Sequence, residues 1–322
     1  MTGAKRVWLH IGVPKSGTSA LQRYLGDHAD ALRAQGLTYL APKRKKSGND
    51  LAIALNRGRD SLRKLSDDLC HQIETCPTDQ AILSSEMFYG IEPSVILEAL
   101  PALRGRDVQV LVYLRRQDKY LESKYIQKSK NGRFKGDIWK YLRKFNGSGA
   151  NFAAELAPWE AQDVTLVPRI CEPGRLHGGS TVSDMLGLAG LPAPDAAAVA
   201  AAHENASPSA IRLEMMQILG RVEGLDTKRI QRRLASDHPP APGSKARMFG
   251  KADRLAVLAE YADGNEVLRR RYFASQTDLF DMTDLDAAPT TPDVGFTDEQ
   301  RAEIGLLLST IALLYGADSE NG

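Results

Sequence analysis

The chain has 322 residues, of which 43% are hydrophobic and 25% are charged, and its formal net charge is +2. These proportions are typical of a globular protein that buries a core, and they exclude a disordered chain. The length suits one large α/β domain or two smaller ones. The three cysteines, Cys70, Cys76 and Cys171, are too few for a disulfide framework and lack the spacing of a zinc site.

The first predicted element is a strand that runs into a glycine-containing loop and then a helix, over residues 7–21. A loop of this kind presents backbone N–H groups, and the start of the following helix adds a partial positive charge. The loop region also carries a cation and three hydroxyls, from Lys15, Ser16, Thr18 and Ser19. Together these groups predict a site for a nucleotide phosphate or a close analogue.

This loop differs from the Walker A sequence of nucleoside triphosphatases. Gly12 and Gly17 have the Walker separation, but Thr18 follows Gly17 where Walker A has lysine. The lysine of this loop, Lys15, lies two residues before Gly17, so it reaches a different phosphoryl oxygen. A glycine-containing turn without a ligand is the plainer alternative, and the strand before it and the helix after it argue against that.

Polar residues follow two of the later predicted strands. Residues 80–85 form a predicted strand that ends next to Glu86. Residues 107–114 are apolar and rich in valine, which predicts a buried parallel strand, and Arg115 and Arg116 follow it. An arginine fork suits a phosphate dianion. A solvated helix start is the alternative role for the two arginines.

Strands and helices alternate up to about residue 190, which predicts an α/β fold. We expect a parallel sheet with helices on both faces, in a P-loop-like, three-layer architecture. Ligands of such sheets bind beyond the carboxyl ends of the strands, so the loop and the arginines can face one ligand. The predicted strands are residues 6–12, 37–41, 80–85, 107–114 and 163–168.

The C-terminal third shows no clear strand pattern and predicts helices. We therefore expect an α/β core over residues 1–200 and a helical cap over residues 201–322 that packs on the same domain. The last predicted helix, residues 298–315, is amphipathic, and its apolar run is too short to cross a bilayer. We expect no integral membrane segment, and the apolar face suits either core packing or a homodimer contact.

Charge is unevenly distributed along the chain. Residues 104–144 carry 13 Lys and Arg against 4 Asp and Glu, whereas residues 278–322 carry 1 Arg against 10 acidic residues. The basic stretch favours an anionic ligand. It contains no pattern of a known nucleic-acid-binding motif, so we expect no nucleic-acid partner.

The histidines lack metal-ligand spacing and the N-terminus lacks a secretory pattern, which predicts a metal-free, cytoplasmic protein.

Two motifs resemble the nucleotide-binding elements of sulfotransferases that use 3′-phosphoadenosine-5′-phosphosulfate (PAPS). The segment Pro14-Lys15-Ser16-Gly17-Thr18-Ser19 is similar to the 5′-phosphosulfate loop of that family. Arg115, with Ser123 eight residues later, is similar to the pair that binds the nucleotide 3′-phosphate. The resemblance covers about residues 5–220 and implies a PAPS-binding sulfotransferase core of the bacterial type.

The resemblance implies roles for the residues of both motifs. Lys15 is expected to stabilise the leaving phosphate, while Arg115 and Ser123 bind the 3′-phosphate, with Arg116 as the alternative arginine. The 5′-phosphate is expected to bind Lys15, Ser16, Gly17, Thr18 and Ser19.

The implied reaction transfers a sulfuryl group from PAPS to an acceptor hydroxyl on a carbohydrate or another small molecule, without a metal. A base must take the acceptor proton. Glu86 is our candidate because it follows a predicted strand and so lies at the same sheet edge as Lys15 and Arg115. The glycan- and protein-tyrosine-type branches of the family also often use a glutamate. His10 is the rival, although its place within the first strand favours a buried structural role.

Two other functions fit parts of the sequence. A P-loop kinase or NTPase would use Mg-ATP, but the position of Lys15 and the arginine, rather than an acid, after residues 107–114 argue against it. The chain could also be a sulfotransferase-like module that binds nucleotide or glycan without turnover. The presence of both Lys15 and Glu86 argues against that alternative.

Overall fold

The structure is a computed structural model that describes residues 3–14, 16–42, 47–58, 61–145, 147, 149–202, 208–238, 246–293, 295–302, 304–305 and 308. The strands are β1 (Arg6–His10), β2 (Leu37–Leu40), β3 (Gln80–Ser84), β4 (Asp107–Leu114) and β5 (Thr165–Ile170). The α-helices are α1 (Thr18–Asp27), α2 (Ala29–Ala34), α3 (Asn49–Arg57), α4 (Ser61–Glu74), α5 (Pro93–Ala99), α6 (Gln117–Ser129), α7 (Ile138–Phe145), α8 (Phe152–Glu160), α9 (Thr181–Leu188), α10 (Ala196–Ala202), α11 (Ala210–Leu219), α12 (Thr227–Asp237), α13 (Lys251–Glu260) and α14 (Ala262–Tyr272).

The five strands form one sheet in the order β2-β3-β1-β4-β5, and every neighbouring pair is parallel. β1 lies between β3 and β4, with His10 opposite Ser84 on one side and Leu111 on the other. The predicted α/β class with a parallel sheet is therefore confirmed. Each predicted strand is present, and β5 begins two residues later than the sequence pattern predicts.

Helices cover both faces of the sheet. Side chains alternate between the faces along a strand, so Trp8 and His10 share one face while Val7 and Leu9 share the other. On the first face Trp8 packs with α1, α2 and α9 in one hydrophobic cluster. Val7 and Leu9 are also completely buried, as expected for a parallel sheet with three layers.

The chain divides into two compact units. The first comprises Met1–Arg116, Gly149–Glu204 and Tyr261–Asp281 and contains the sheet. The second comprises Gln117–Ser148, Asn205–Glu260 and Met282–Gly322, and its described residues contain helices and no strand. The predicted domain division near residue 200 stays a prediction. Most of the last predicted helix, residues 298–315, lies outside the described residues.

A buried charge cluster connects α6 and α13 within the second unit. Arg254 donates to Asp118 Oδ2 and to Glu122 Oε1, both at 2.9 Å. All three side chains are buried, and the same Glu122 oxygen also accepts from the backbone N–H of Met248. Pairing of this kind offsets the cost of removing the charges from water.

In the described part of the chain, no helix is both long enough and apolar enough to span a membrane.

Candidate active site

The predicted phosphate loop lies at the carboxyl end of the central strand β1. Its first residue, Ile11, donates its backbone N–H to Leu111 O at 3.0 Å and accepts one from Tyr89 at 3.1 Å. These bonds join the loop to β4 on one side and to the segment after β3 on the other. The loop is therefore fixed at the sheet edge where ligands of parallel sheets bind.

Gly17 ends the loop and precedes α1 in a left-handed conformation, with a φ of 83°. A Cβ atom there would lie 3.0 Å from Thr181 Oγ1, so both backbone conformation and space favour glycine. Helix α1 has no side-chain cap and no acidic residue in its first turn. The first N–H groups of a helix lack intrahelical partners, so this start is suited to an anion.

The three hydroxyls of the loop region have different surroundings. Ser16 is completely buried, and its Oγ donates to Val13 O at 2.6 Å. Thr18 is also buried, and its Oγ1 donates to Glu86 Oε2 at 2.8 Å. Ser19 is exposed. The Ser16 hydroxyl thus binds within the loop, and the Thr18 hydroxyl binds Glu86. The backbone N–H groups of the first turn of α1 are the groups suited to an anionic ligand.

The structure brings the candidate base Glu86 to the loop. Ser85, the first residue after β3, donates its N–H to His10 O at 2.9 Å and so places Glu86 beside the end of β1. Gly12 has a φ of 62°, and a Cβ atom there would lie 2.7 Å from Glu86 Cα. Glycine at this position is what permits the close approach of the two segments.

Two residues that no sequence pattern indicated form hydrogen bonds to backbone carbonyl groups of the loop. Cys171 Sγ donates to Ser16 O at 3.2 Å, and Thr181 Oγ1 lies 3.4 Å from Gly17 O. Burial raises the pKa of the Cys171 thiol to about 11, although the charge of Arg115 acts to lower it. The thiol is thus protonated at neutral pH and can donate. Cys171 and Thr181 lie 155 and 164 positions along the chain from their partners, so no sequence motif indicates these contacts.

The two candidate arginines differ in their surroundings. Arg116 is 1% exposed, and its Nη1 donates to Asp281 O at 2.5 Å. Glu172 accepts the backbone N–H of the same Asp281, so Arg116 is part of a structural connection within the first unit. Arg115 is half-buried and close enough to Cys171 for its charge to oppose the rise that burial causes in the pKa of that thiol. The assignment of the phosphate ligand to Arg115 stays a prediction.

His10 is completely buried on the face of the sheet that α1 and α9 cover. Its Nδ1 lies 2.8 Å from Ser84 Oγ, and its Nε2 has no hydrogen-bond partner among the described residues. Burial lowers its pKa from 6.5 to about 3. A neutral imidazole of such low basicity is a poor proton acceptor at neutral pH, which favours Glu86 over His10 as the base.

The buried His10 predicts a loss of stability in mild acid. Below pH 6.5 the unfolded chain protonates this residue and the folded chain does not, so the free energy of unfolding decreases as pH falls towards about 3. The loss approaches about 1.4 kcal/mol per pH unit within this window. His10→Asn should flatten this dependence in urea unfolding at pH 7.5, 6 and 5. His71→Asn, on the surface of α4, is the control; equal slopes for wild type and His10→Asn would contradict the prediction.

Lys15 and Ser123 are the remaining predicted site residues. Lys15 lies outside the described residues. Ser123 is half-buried in α6, in the second unit. Among the described residues, no group of three or more His, Cys, Asp and Glu side chains is arranged to hold a metal ion, and the three cysteines are free.

Comparisons with known proteins give distant similarities. No family model matches the chain. An uncharacterized protein from Archaeoglobus fulgidus is 26% identical over 203 residues, which cover 61% of this chain and 54% of that protein, so the chain matches about half the length of this relative. The crystal structure of a sulfotransferase from Alicyclobacillus acidocaldarius aligns with 89% of this chain and 100% of its own, at 14% identity and a TM-score of 0.43.

Proposed function

We propose that this protein transfers a sulfuryl group from PAPS to a hydroxyl group of a carbohydrate or another small molecule. The observation that carries the proposal is the hydrogen bond between Thr18 and Glu86. It brings a carboxylate next to the loop at the carboxyl edge of the sheet. An anion-binding helix start and a proton acceptor are the two parts that transfer to a hydroxyl requires.

The residues at the loop fit a nucleotide phosphate. The left-handed Gly17 leaves the start of α1 without a side-chain cap, and no residue of its first turn is acidic. The nearby Glu86 carboxylate is bound by the Thr18 hydroxyl. In the proposal Ser16, Gly17, Thr18 and Ser19 surround the 5′-phosphate, chiefly through backbone N–H groups. Lys15 lies next to them in the sequence and supplies the cation at the bridging oxygen.

PAPS supplies an activated sulfuryl group, whose bond to the 5′-phosphate oxygen breaks as a bond to the acceptor oxygen forms. Glu86 takes the proton of the acceptor hydroxyl, so the ester forms without a free alkoxide. Thr18 holds the Glu86 carboxylate in place through its hydroxyl. Lys15 stabilises the charge that develops on the leaving phosphate.

Arg115 is proposed to bind the 3′-phosphate, the role that its spacing from Ser123 in the sequence implies. Arg115→Ala should weaken binding of 3′-phosphoadenosine-5′-phosphate by about 10–100-fold, since hydrogen bonds to charged groups contribute about 1.5–3 kcal/mol. Binding of adenosine-5′-phosphate should change little, and both affinities can be measured by calorimetry. Arg104→Ala removes an exposed arginine as a matched control. An equal loss for both nucleotides would exclude recognition of the 3′-phosphate by Arg115.

The proposal itself is tested by titrating the wild-type protein with 3′-phosphoadenosine-5′-phosphate and with ATP, each with and without Mg²⁺. Preferential, metal-independent binding of 3′-phosphoadenosine-5′-phosphate is the expected result. Preference for Mg-ATP would overturn the proposal and indicate phosphoryl transfer. Acceptor candidates are then compared by transfer of labelled sulfate from PAPS.

A further inference from the structure

We infer that helix α12 (Thr227–Asp237) in the second unit is a binding surface for an acidic polysaccharide. The polymer would be the acceptor chain of the proposed function, so its role as acceptor rests on that proposal. The binding itself does not, because it is argued from the charges and contacts of the second unit alone.

Helix α12 presents four exposed cations, at Lys228, Arg229, Arg232 and Arg233. Arg233 pairs with Asp237 one turn later on the same helix. Among the described residues, the other three cations have no carboxylate partner. No residue of the helix is buried in the core. A surface with this excess of positive charge is complementary to a polyanion.

The start of α12 is anchored, which fixes the backbone from which the cations project. The side chain of Asp226 accepts the backbone N–H groups of Lys228 and Arg229, at 3.1 and 3.0 Å. Thr227 Oγ1 donates to Asn131 O at 3.1 Å, which joins α12 to the segment after α6. Residues four apart, such as Lys228 and Arg232, are separated by about 6 Å along a helix axis. Charges therefore repeat at a regular spacing along one helix.

The basic surface continues beyond the helix. A small groove beside α12 has a mainly apolar lining, and its polar members are the cations Lys130 and Arg212 and the amide of Gln231. Arg212 is held by a 2.8 Å hydrogen bond from Nη1 to His238 O, just after the end of α12. The surface thus follows α12 along its length, as an extended polymer requires.

The chemistry of the surface favours a polysaccharide over a nucleic acid. Neither α12 nor the adjacent groove contains an aromatic side chain, so bases have no platform on which to stack. Three of the four cations are arginines, whose planar forks match carboxylate and sulfate groups. Gln231 and Ser236 lie among them and can bind sugar hydroxyls.

The test measures binding of the full-length protein to fluorescein-labelled polygalacturonate at 0.15 M salt. We expect saturable binding that the double variant Arg229→Ala/Arg232→Ala weakens at least tenfold, about the effect of one lost charge-assisted contact. The matched control, Lys140→Ala/Arg143→Ala, removes the same charge from exposed positions of α7 in the same unit. It should change the affinity less than twofold.

Three results would overturn the inference. They are absence of saturable binding, equal weakening by the two double variants, and tighter binding of a 20-base-pair DNA duplex than of the polysaccharide. Binding of 3′-phosphoadenosine-5′-phosphate is measured on the same proteins. If the wild-type protein does not bind this nucleotide but does bind the polysaccharide, the proposed function is refuted and the inference about α12 stands. Failure of the proposed function is thus distinguishable from failure of the inference.

Discussion

Replacing Lys15 by alanine is expected to reduce the rate of sulfuryl transfer by about 10²–10³-fold, the effect of removing one group that stabilises developing charge. The departing phosphate oxygen gains negative charge as its bond to sulfur breaks. Lys15 is the cation that the sequence places between Gly12 and Gly17, next to the uncapped start of α1. The effect should fall mainly on kcat, because the charge develops in the transition state.

Two further variants define the role of this lysine. Lys15→Arg keeps the charge and should restore part of the rate. Lys5→Ala removes an exposed lysine whose partner is Asp79, also on the surface, and should leave turnover unchanged. Thermal unfolding of Lys15→Ala should match that of the wild type. Undiminished turnover in Lys15→Ala would remove this residue from the mechanism.

The strands could be predicted from the sequence because each is a short apolar run. β4, residues 107–114, reads as a nearly continuous hydrophobic segment, as strands buried on both faces do. The order of the strands in the sheet is not encoded in any one segment. The position of β1 between β3 and β4 depends on which crossovers can pack together.

The candidate site could be predicted only as a set of residue types at strand ends. The sequence shows that Thr18 has a hydroxyl, but its partner Glu86 is 68 residues away and is fixed by the pairing of β1 with β3. The sequence also could not separate Arg115 from Arg116. Neighbouring residues at the end of a strand point in different directions, and here Arg116 is the one that enters the interior.

Replacing Glu86 by glutamine is expected to reduce kcat by about 10²–10⁴-fold, the usual contribution of a general base. Glutamine has nearly the same shape, and its carbonyl oxygen can still accept the hydrogen bond of Thr18, so the loop should keep its structure. Binding of 3′-phosphoadenosine-5′-phosphate should therefore be unchanged. Glu92→Gln makes the same replacement at an exposed position without a capping role and should have no effect.

The contact with Thr18 allows positioning to be separated from proton transfer. Thr18→Val removes the hydroxyl that holds the Glu86 carboxylate but leaves the carboxylate itself. It should reduce kcat less than Glu86→Gln does, and combining the two replacements should cost little more than Glu86→Gln alone, because both act on one group. If the two losses instead multiply in the double variant, Thr18 acts on the phosphate and not through Glu86. If Glu86→Gln weakens nucleotide binding as much as it slows turnover, the carboxylate supports the loop and is not the base.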